Sequence, residues 1–541
     1  MSRKRLAAID IGTNSIRCIV IELDKSGKYK VLDDEKATVR LGEGLAKDQT
    51  ISVAAWQRAL EALARMKKVV DGYGVVAVEA VATSAVRQAA NGEAWVKAVA
   101  TQVGLPIKVI SGEQEAELAV ASALHNFDME GVHYAVVDIG GGSVEIVTAL
   151  GSHVEELCSL ELGAVILTDQ FVISDPLSRE DHQRLRRQIR KTLKGAFPEV
   201  CPPLQCLIGS GGTMTAIAGM VMAMRKEGYG SVHGYEVLRS EVVHLLAMLL
   251  RKGIKERRAL PGLHPDRADI IVAGVTVVDE LMAFFASNLL RINERGVREG
   301  LILEALKKRR LIPAVARPRS WRHGVLEFAR SCHHDEGHAL HVAKLALAIC
   351  EALAFMFSFG KKERQLLEAA ALLHDVGYFI NYAGHHKHSY HLVRHAELFG
   401  FTPREREIIA QIARYHRKAL PKKKHQEFAR LTPQDQLIVR RLGGILRLAD
   451  GLDRRRAGVV TAIDCTLTSS AVTLRLHGTE DVGVELYGGR SKGDLFEAAF
   501  SKQLLLVPAQ EAAPPHSENI APAEGRSPTV TRRNGHRPTR H

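Results

Sequence analysis

The feature that most constrains the fold is the octapeptide Asp138-Ile139-Gly140-Gly141-Gly142-Ser143-Val144-Glu145. It lies between apolar runs at 134–137 and 144–147 that read as paired strands joined by a glycine-rich turn. Consecutive glycines leave backbone N–H groups clear of any Cβ, so they can converge on an anion. A carboxylate at each end of the turn can hold a divalent cation against that anion. Alone, the segment reads equally as a plain hairpin with a loose tip. It has two companions, however. Residues 6–9 lead into Asp10-Ile11-Gly12-Thr13-Asn14-Ser15 and an alternating strand at 16–23. Residues 205–208 lead into Gly209-Ser210-Gly211-Gly212-Thr213 and a helix at 214–226. Three such turns at strand ends predict one shared cleft, because open α/β sheets bind ligands there.

The spacing of apolar residues fills in the rest of the first half. Val53, Trp56, Leu60 and Leu63 mark an amphipathic helix, and 75–82 is a continuous apolar strand. That strand runs into Thr83-Ser84-Ala85-Val86-Arg87. A helix at 93–103, a strand at 107–110 and a helix opening at Ser111-Gly112-Glu113-Gln114-Glu115-Ala116-Glu117 follow. A second unit of the same plan runs from 131 to 308, which suggests a duplicated α/β fold with a cleft between its halves.

Together, Asp10–Ser15, Ser111–Ala116, Asp138–Glu145 and Gly209–Thr213 resemble the exopolyphosphatase/guanosine pentaphosphate phosphatase family, within the actin, sugar-kinase and heat-shock chaperone superfamily. The resemblance covers 5–308 and implies two actin-like, ribonuclease H-like lobes, at 1–128 and 129–310. Hydrolysis of a phosphoanhydride needs charge neutralisation, an oriented water and a proton acceptor. Gly140, Gly141, Gly142 and Ser143, Gly209, Ser210, Gly211, Gly212 and Thr213, with Asn14 and Ser15, would hold the non-reacting oxygens. Asp138 and Glu145 would hold Mg²⁺. By the family's pattern Glu115 is the base that activates water, although Glu113, Glu115 and Glu117 would also suit the first turn of any helix. Arg87 and Arg17 are candidate phosphate clamps. Many relatives in that family carry arginine where this chain has Glu117, so a phosphate contact made by that arginine is not expected here, while the role of Glu115 as base is unaffected. Kinases of the superfamily position an acceptor hydroxyl instead, usually with an aspartate; the acid on the 111–116 turn matches the hydrolase branch.

Beyond a proline-containing linker at 311–319, residues 320–450 read as mostly helical. His338, the pair His374-Asp375 and the distant Asp450 resemble the HD pattern of metal-dependent phosphohydrolases, whose separated ligands meet inside a helical bundle. The resemblance implies an all-α HD-type domain at 318–457 holding a second divalent metal. The same groups would also serve as hydrogen-bonded polar residues of an inherited bundle. His333, His334, His385 and His386 read as bystanders. Alternation over 459–486 predicts a small antiparallel sheet, which a helix at 495–503 and a strand at 504–507 complete as a small α+β domain at 458–509, and the polar tail 510–541 reads as disordered.

Composition narrows the partners. The 541 residues carry 74 Lys plus Arg against 61 Asp plus Glu, a net charge of +13, which favours a polyanionic ligand. Basic clusters at 307–310, 422–424 and 454–456 lack interleaved aromatics, and aromatics are only 5% of the chain, which argues against specific nucleic-acid recognition. Seven scattered cysteines without a CxxC pair fit a reducing cytoplasm. No secretory leader or membrane span is expected; the longest apolar stretch, near 270–290, is broken by Asp279 and Glu280. The expected protein is a cytoplasmic, homodimeric exopolyphosphatase that releases orthophosphate from the end of polyphosphate. Hydrolysis of guanosine pentaphosphate to the tetraphosphate in the same site is the alternative, as is a non-catalytic nucleotide-sensing regulator.

Overall fold

The structure, a computed structural model, describes residues 4–24, 29–197, 202–312 and 320–509. Residues 313–319 of the expected linker and the whole tail 510–541 lie outside the described residues.

Two mixed sheets organise the first half. The first comprises β1 (Lys4–Ile11), β2 (Ser15–Leu23), β3 (Tyr29–Thr38), β4 (Ala77–Ala82) and β5 (Lys108–Val109), in the order β3-β2-β1-β4-β5. The second comprises β6 (His133–Ile139), β7 (Val144–Leu150), β8 (His153–Leu160), β9 (Cys206–Ser210), β10 (Glu236–Leu238) and β11 (Leu289–Ile292), in the order β10-β11-β9-β6-β7-β8. Without the edge strand β10, the second order repeats the first. Each sheet begins with an antiparallel hairpin and continues with a parallel crossover. The hairpin registers also correspond: Asp10 faces Arg17 across β1 and β2, and Asp138 faces Glu145 across β6 and β7. The duplication expected from the sequence is therefore a duplication of topology.

The lobes share a core. Leu6, Ala8 and Ile21 of the first sheet and Tyr134, Val136 and Ile208 of the second enclose the helices Gly112–Asn126 and Gly296–Lys308. These helices touch so closely that a Cβ on Gly300 would lie 2.0 Å from the Leu118 carbonyl oxygen. A buried polar knot locks the crossing. Glu299 accepts from Ser122 Oγ at 2.8 Å and pairs with Arg295 at 2.9 Å, and Tyr29 and Asn126 also donate to it. Burial alone would raise the Glu299 pKa, but Arg295 and these donors hold it below the ordinary value.

The second half is helical from Trp321–Ser331 to Pro433–Gly451, followed by β12 (Val460–Leu467), β13 (Ala471–Gly478) and β14 (Gln503–Pro508). One core runs from Val325 through Leu474 to Leu506, so this sheet packs into the helical core instead of standing apart. One expectation is corrected by this half. β12 and β13 pair antiparallel and β14 joins β13 in parallel, but 483–486 belongs to the helix Gly483–Lys492. Its period-two pattern is overridden by packing: a Cβ on Gly488 would lie 2.3 Å from the Gly451 carbonyl oxygen, so glycines let this helix settle on its neighbour. Among the described residues, Glu336–Phe357 alone is long and apolar enough to cross a membrane; in this fold it sends Val342, Ala346, Ile349 and Leu353 into the core.

The helix crossing at Gly300 admits no side chain. Gly300→Val should lower stability by about 1–3 kcal/mol through overpacking, read as a fall in thermal midpoint. An unchanged midpoint would show that the helices can part without cost.

Candidate active site between the lobes

The cleft is built from turns that both lobes bring to one place. The tip of the β6–β7 hairpin is tight, with Gly140 N–H donating to Ser143 O at 3.0 Å. The carbonyls of Gly140 and Gly141 accept from Ala164 and Val165, at the start of the helix Ala164–Phe171. No protein acceptor among the described residues takes the N–H groups of Gly141 and Gly142, and these glycines line the cavity. The tip also touches the opposite lobe: a Cβ on Gly142 would lie 2.3 Å from Ser84 Oγ and 2.8 Å from Thr13 Oγ1. The third turn enters the helix Gly212–Met224 through Gly211, at φ +93°, where a Cβ would come within 2.5 Å of the Ile139 carbonyl oxygen. Only glycine fits there.

Glu115 sits in the first turn of the helix Gly112–Asn126, whose Ser111–Gln114 capping box fixes its start. The carboxylate is buried on the cavity floor. Asp138, Glu145 and Asp10 surround it. Glu145 accepts from Ser159 Oγ at 2.9 Å, and Asp138 from Ser210 Oγ at 2.7 Å. One oxygen of Glu115 and one of Glu145 are buried without a hydrogen-bond partner. Burial, then mutual repulsion, pushes the group upward: Glu115 well above the carboxylate range, Asp10 to about 6. Burial likewise lifts Glu145 to about 7. Four crowded carboxylates, two of them with an oxygen that accepts no hydrogen bond, have the donor chemistry of a hard-cation site, so the residues fit Mg²⁺.

Facing them is a basic wall of Arg17, Arg267 and Arg298. Burial, then the Arg17 charge, lowers Arg267 to about 10; burial, then Arg267 and Arg17, lowers nearby Lys36 to about 8. Acids on one side and crowded cations on the other, of which Arg298 is paired with Asp34, suit a metal-chelated phosphate. Among the described residues no aromatic side chain lines this cavity.

The Ppx/GppA phosphatase family model matches residues 19–309, and the model for domain III of the same phosphatases matches 322–485. The chain belongs to the Ppx/GppA phosphatase family. A crystal structure of the family's Aquifex aeolicus member is similar at 29% identity and TM-score 0.50, covering 57% of this chain and 99% of that one. An exopolyphosphatase from Cytophaga hutchinsonii is similar at 26% identity and TM-score 0.54, covering 56% of this chain and 98% of its own. An exopolyphosphatase-like protein reaches TM-score 0.53 at 26% identity, with 58% of this chain and all of that one covered. The two lobes are thus the actin-like part, and phosphatase chemistry comes with the family.

Of the residues singled out from sequence, Asn14, Ser15, Glu115, Asp138, Gly140, Gly141, Gly142, Ser143, Gly211, Gly212 and Thr213 line the cavity, with Glu145 against its floor. Others serve differently. Gly209 lies within β9 between β6 and β11, where Met214 and Leu290 leave no room for a side chain. Ser210 is turned onto Asp138. Arg87 donates to the Ile110 carbonyl at 2.7 Å and lies 3.5 Å from Glu115, so it positions the acid instead of lining the cavity. Asp10, Thr13, Thr83, Ser84, Arg267 and Arg298 line the cavity but were not assigned from sequence. Asp10 had a signal, the tripeptide Asp-Ile-Gly shared with 138–140; the two arginines had none.

In the helical unit His338, His374, Asp375 and Asp450 come together, all buried, with His338 Nε2 3.5 Å from Asp450 Oδ1 and His374 Nε2 3.6 Å from Asp375 Oδ2. His385 and His416 join them, with Nε2 atoms 3.3 and 3.7 Å from Asp375 Oδ1. The bystander reading of His385 is therefore corrected: the turn at Gly384 (φ +75°) aims the first residue of the helix His385–His395 inward.

Removing one of the mutually repelling guanidiniums should leave folding intact and weaken anion binding. For Arg267→Gln we expect inorganic phosphate to bind about tenfold more weakly by calorimetry at fixed salt, with an unchanged thermal midpoint. Undiminished phosphate binding would remove Arg267 from the clamp.

Proposed function

We propose that the interlobe cleft is an exopolyphosphatase site that releases orthophosphate from the end of inorganic polyphosphate. One observation supports this most: a buried carboxylate, Glu115, with an oxygen that accepts no hydrogen bond, shares a cavity with free glycine N–H groups and Asp138. The terminal phosphoryl group would rest on the N–H groups of Gly141, Gly142 and the 212–213 helix start, with Asn14 and Ser15 on the opposite side. Bound Mg²⁺, held by Asp138 and Glu145, would neutralise charge on the phosphate oxygens. Glu115 would take a proton from water as the water oxygen bonds to phosphorus and the bridging P–O bond breaks. The products are orthophosphate and a chain one unit shorter. Arg17, Arg267 and Arg298 would hold the following units.

Hydrolysis of guanosine pentaphosphate would use the same groups. The basic wall and the lack of aromatic residues in the cleft favour a bare phosphate chain, because a guanine base gains affinity by stacking. Action in the cytoplasm as a homodimer belongs to the same proposal, as does an HD-type metal held by His338, His374, Asp375 and Asp450.

Glu115→Gln should reduce phosphate release from polyphosphate about 10²–10⁴-fold while leaving polyphosphate binding in place. Release at the wild-type rate would sink the assignment of the base. Side-by-side rates with guanosine pentaphosphate decide the substrate, and faster release from the nucleotide would reverse the preference for the polymer.

A further inference from the structure

The basic wall of the cleft continues to a lysine that stands just outside the cavity. Asp10 faces Arg17 across β1 and β2, and Arg17 faces Lys36 across β2 and β3. Directly paired residues share one face of a sheet, so the three form a row that leaves the acid cluster and runs toward the edge strand β3. Each step is one strand spacing, which puts Lys36 roughly 10 Å from Asp10 along the row. Like charges directly opposite one another destabilise a strand pair, yet Arg17 is kept against Lys36. Arg267 joins them from the second lobe. Its guanidinium lies so close to the start of the helix Gly212–Met224 that a Cβ on Gly212 would meet it at 1.6 Å.

Lys36 also lies at an opening between the lobes. Two positions away on either side, β3 is tied to the second lobe: Asp34 pairs with Arg298, and Thr38 Oγ1 donates to Asp266 Oδ2 at 3.4 Å. Asp34, Lys36 and Thr38 share one face of the strand, so the lysine points into the gap between these ties. It remains open to solvent, and among the described residues no carboxylate lies within ion-pair distance of it. Partial burial, then the charges of Arg267 and Arg17, depress its pKa to about 8, and Asp266 offsets only part of that. Keeping an ammonium in this company costs stability until an anion arrives.

We propose that Lys36 is a specificity-determining residue of the cleft, which binds the phosphate units behind the terminal one and so selects a triphosphate or longer chain over orthophosphate. The proposal rests on the exopolyphosphatase reading and adds the path of the chain. The polymer enters between the Arg298–Asp34 and Thr38–Asp266 ties and crosses β3 and β2 to reach the glycine tip. The terminal unit lies at the acids and the bond to be broken. Behind it, Arg17, Arg267 and Lys36 meet successive negative charges with positive ones that no protein carboxylate pairs. Each phosphate laid against the row relieves the repulsion among the three, so affinity grows with chain length until the row is filled. The choice of side chains follows the same order. Arginines bind phosphate in a fixed, bidentate geometry near the reacting end, whereas an ammonium on a flexible stem holds a sliding chain without fixing its orientation.

Full-length Glu115→Gln protein in Mg²⁺ should be titrated by calorimetry with inorganic phosphate and with tripolyphosphate. Adding Lys36→Met should weaken tripolyphosphate binding about tenfold, the loss of one charge-assisted contact, and leave inorganic phosphate binding within about twofold. Lys36→Arg should keep the tripolyphosphate affinity. The thermal midpoint of Lys36→Met should not fall, since the change removes repulsion at an open site. With Glu115 intact, Lys36→Met should raise KM for tripolyphosphate about tenfold without lowering kcat, because the contact is the same before and during bond breaking. Equal tripolyphosphate affinity with and without the lysine would overturn the proposal and return Lys36 to the solvated surface. An equal loss for inorganic phosphate would also overturn it, by placing the lysine on the terminal unit. The titrations do not depend on turnover. If the wild-type protein bound tripolyphosphate but released no orthophosphate, the hydrolase reading would fail while the binding role of Lys36 stood.

Discussion

Close approach of the two lobes at the β6–β7 tip is the constraint from which the cleft follows. Gly141 and Gly142 come against Thr13 and Ser84, and Gly163 comes against the tip from behind; at all three a Cβ would meet another atom within 3.0 Å. A side chain at any of them would hold the lobes apart by roughly its own thickness. The same bare backbone that allows the approach exposes the N–H groups that face the cavity. Tight packing and anion binding are therefore one property of the tip, which is why the glycines come as a run. The Gly300 crossing does the equivalent work at the base of the lobes, carrying the helix with Glu115 up to Asp138.

Electrostatics then gives the cleft its polarity. Glu115, Asp138, Glu145 and Asp10 are buried close together, and among the described residues Arg87, 3.5 Å from Glu115, is the one cation at ion-pair distance from any of the four. The nearby guanidiniums of Arg17, Arg267 and Arg298 form a separate wall whose members repel one another. A protein built only for stability would interleave these charges, as it does at the shared helix crossing, where Glu299 takes Arg295 and three neutral donors. Keeping the signs apart costs stability that a ligand carrying both signs returns on binding. A metal-chelated phosphate is such a ligand.

How much of this could be read from the sequence depended on whether a residue's role was local. The turns at 10–15, 111–116 and 138–145 were legible because a strand, a run of small residues and an acid specify a strand-end site within a few positions. The third turn was legible only in part, since Gly209 is a glycine for packing inside β9 while Gly211 is a glycine for conformation. Nothing distinguishes the two in a string of letters. Arg267 and Arg298 reach the cleft from a turn and a helix of the second lobe whose neighbours in sequence do unrelated work. Arg454 to Arg456 stood out in the sequence as a basic cluster for a polyanion, yet Arg455 pairs with Glu485 and Arg456 with Asp375. In the helical unit His374-Asp375 was visible as a pair, whereas His385 depended on a turn at Gly384 that no periodicity announces.

The interlobe cleft and the cavity over the buried histidines of the helical unit differ in ways that follow from how each is made. The cleft arises where strands end, so its walls are backbone, small side chains and charges, and nothing large enough to stack on a base fits between tips that touch. The helical cavity arises where helices converge, so its walls are long side chains, and the 376–384 segment can leave Tyr378 and Tyr382 at its mouth. Backbone N–H groups recognise phosphate oxygens irrespective of what they are attached to, whereas aromatic faces recognise the attached ring. Arg295 joins the two halves: it lines the cleft, pairs with Glu299 in the helix crossing and reaches Glu397 of the helical unit. The helix that begins at Gly296, against Asp138, is thus anchored by groups from all three units. The geometry of the acid cluster therefore depends on the helical half even though that half contributes no residue to it.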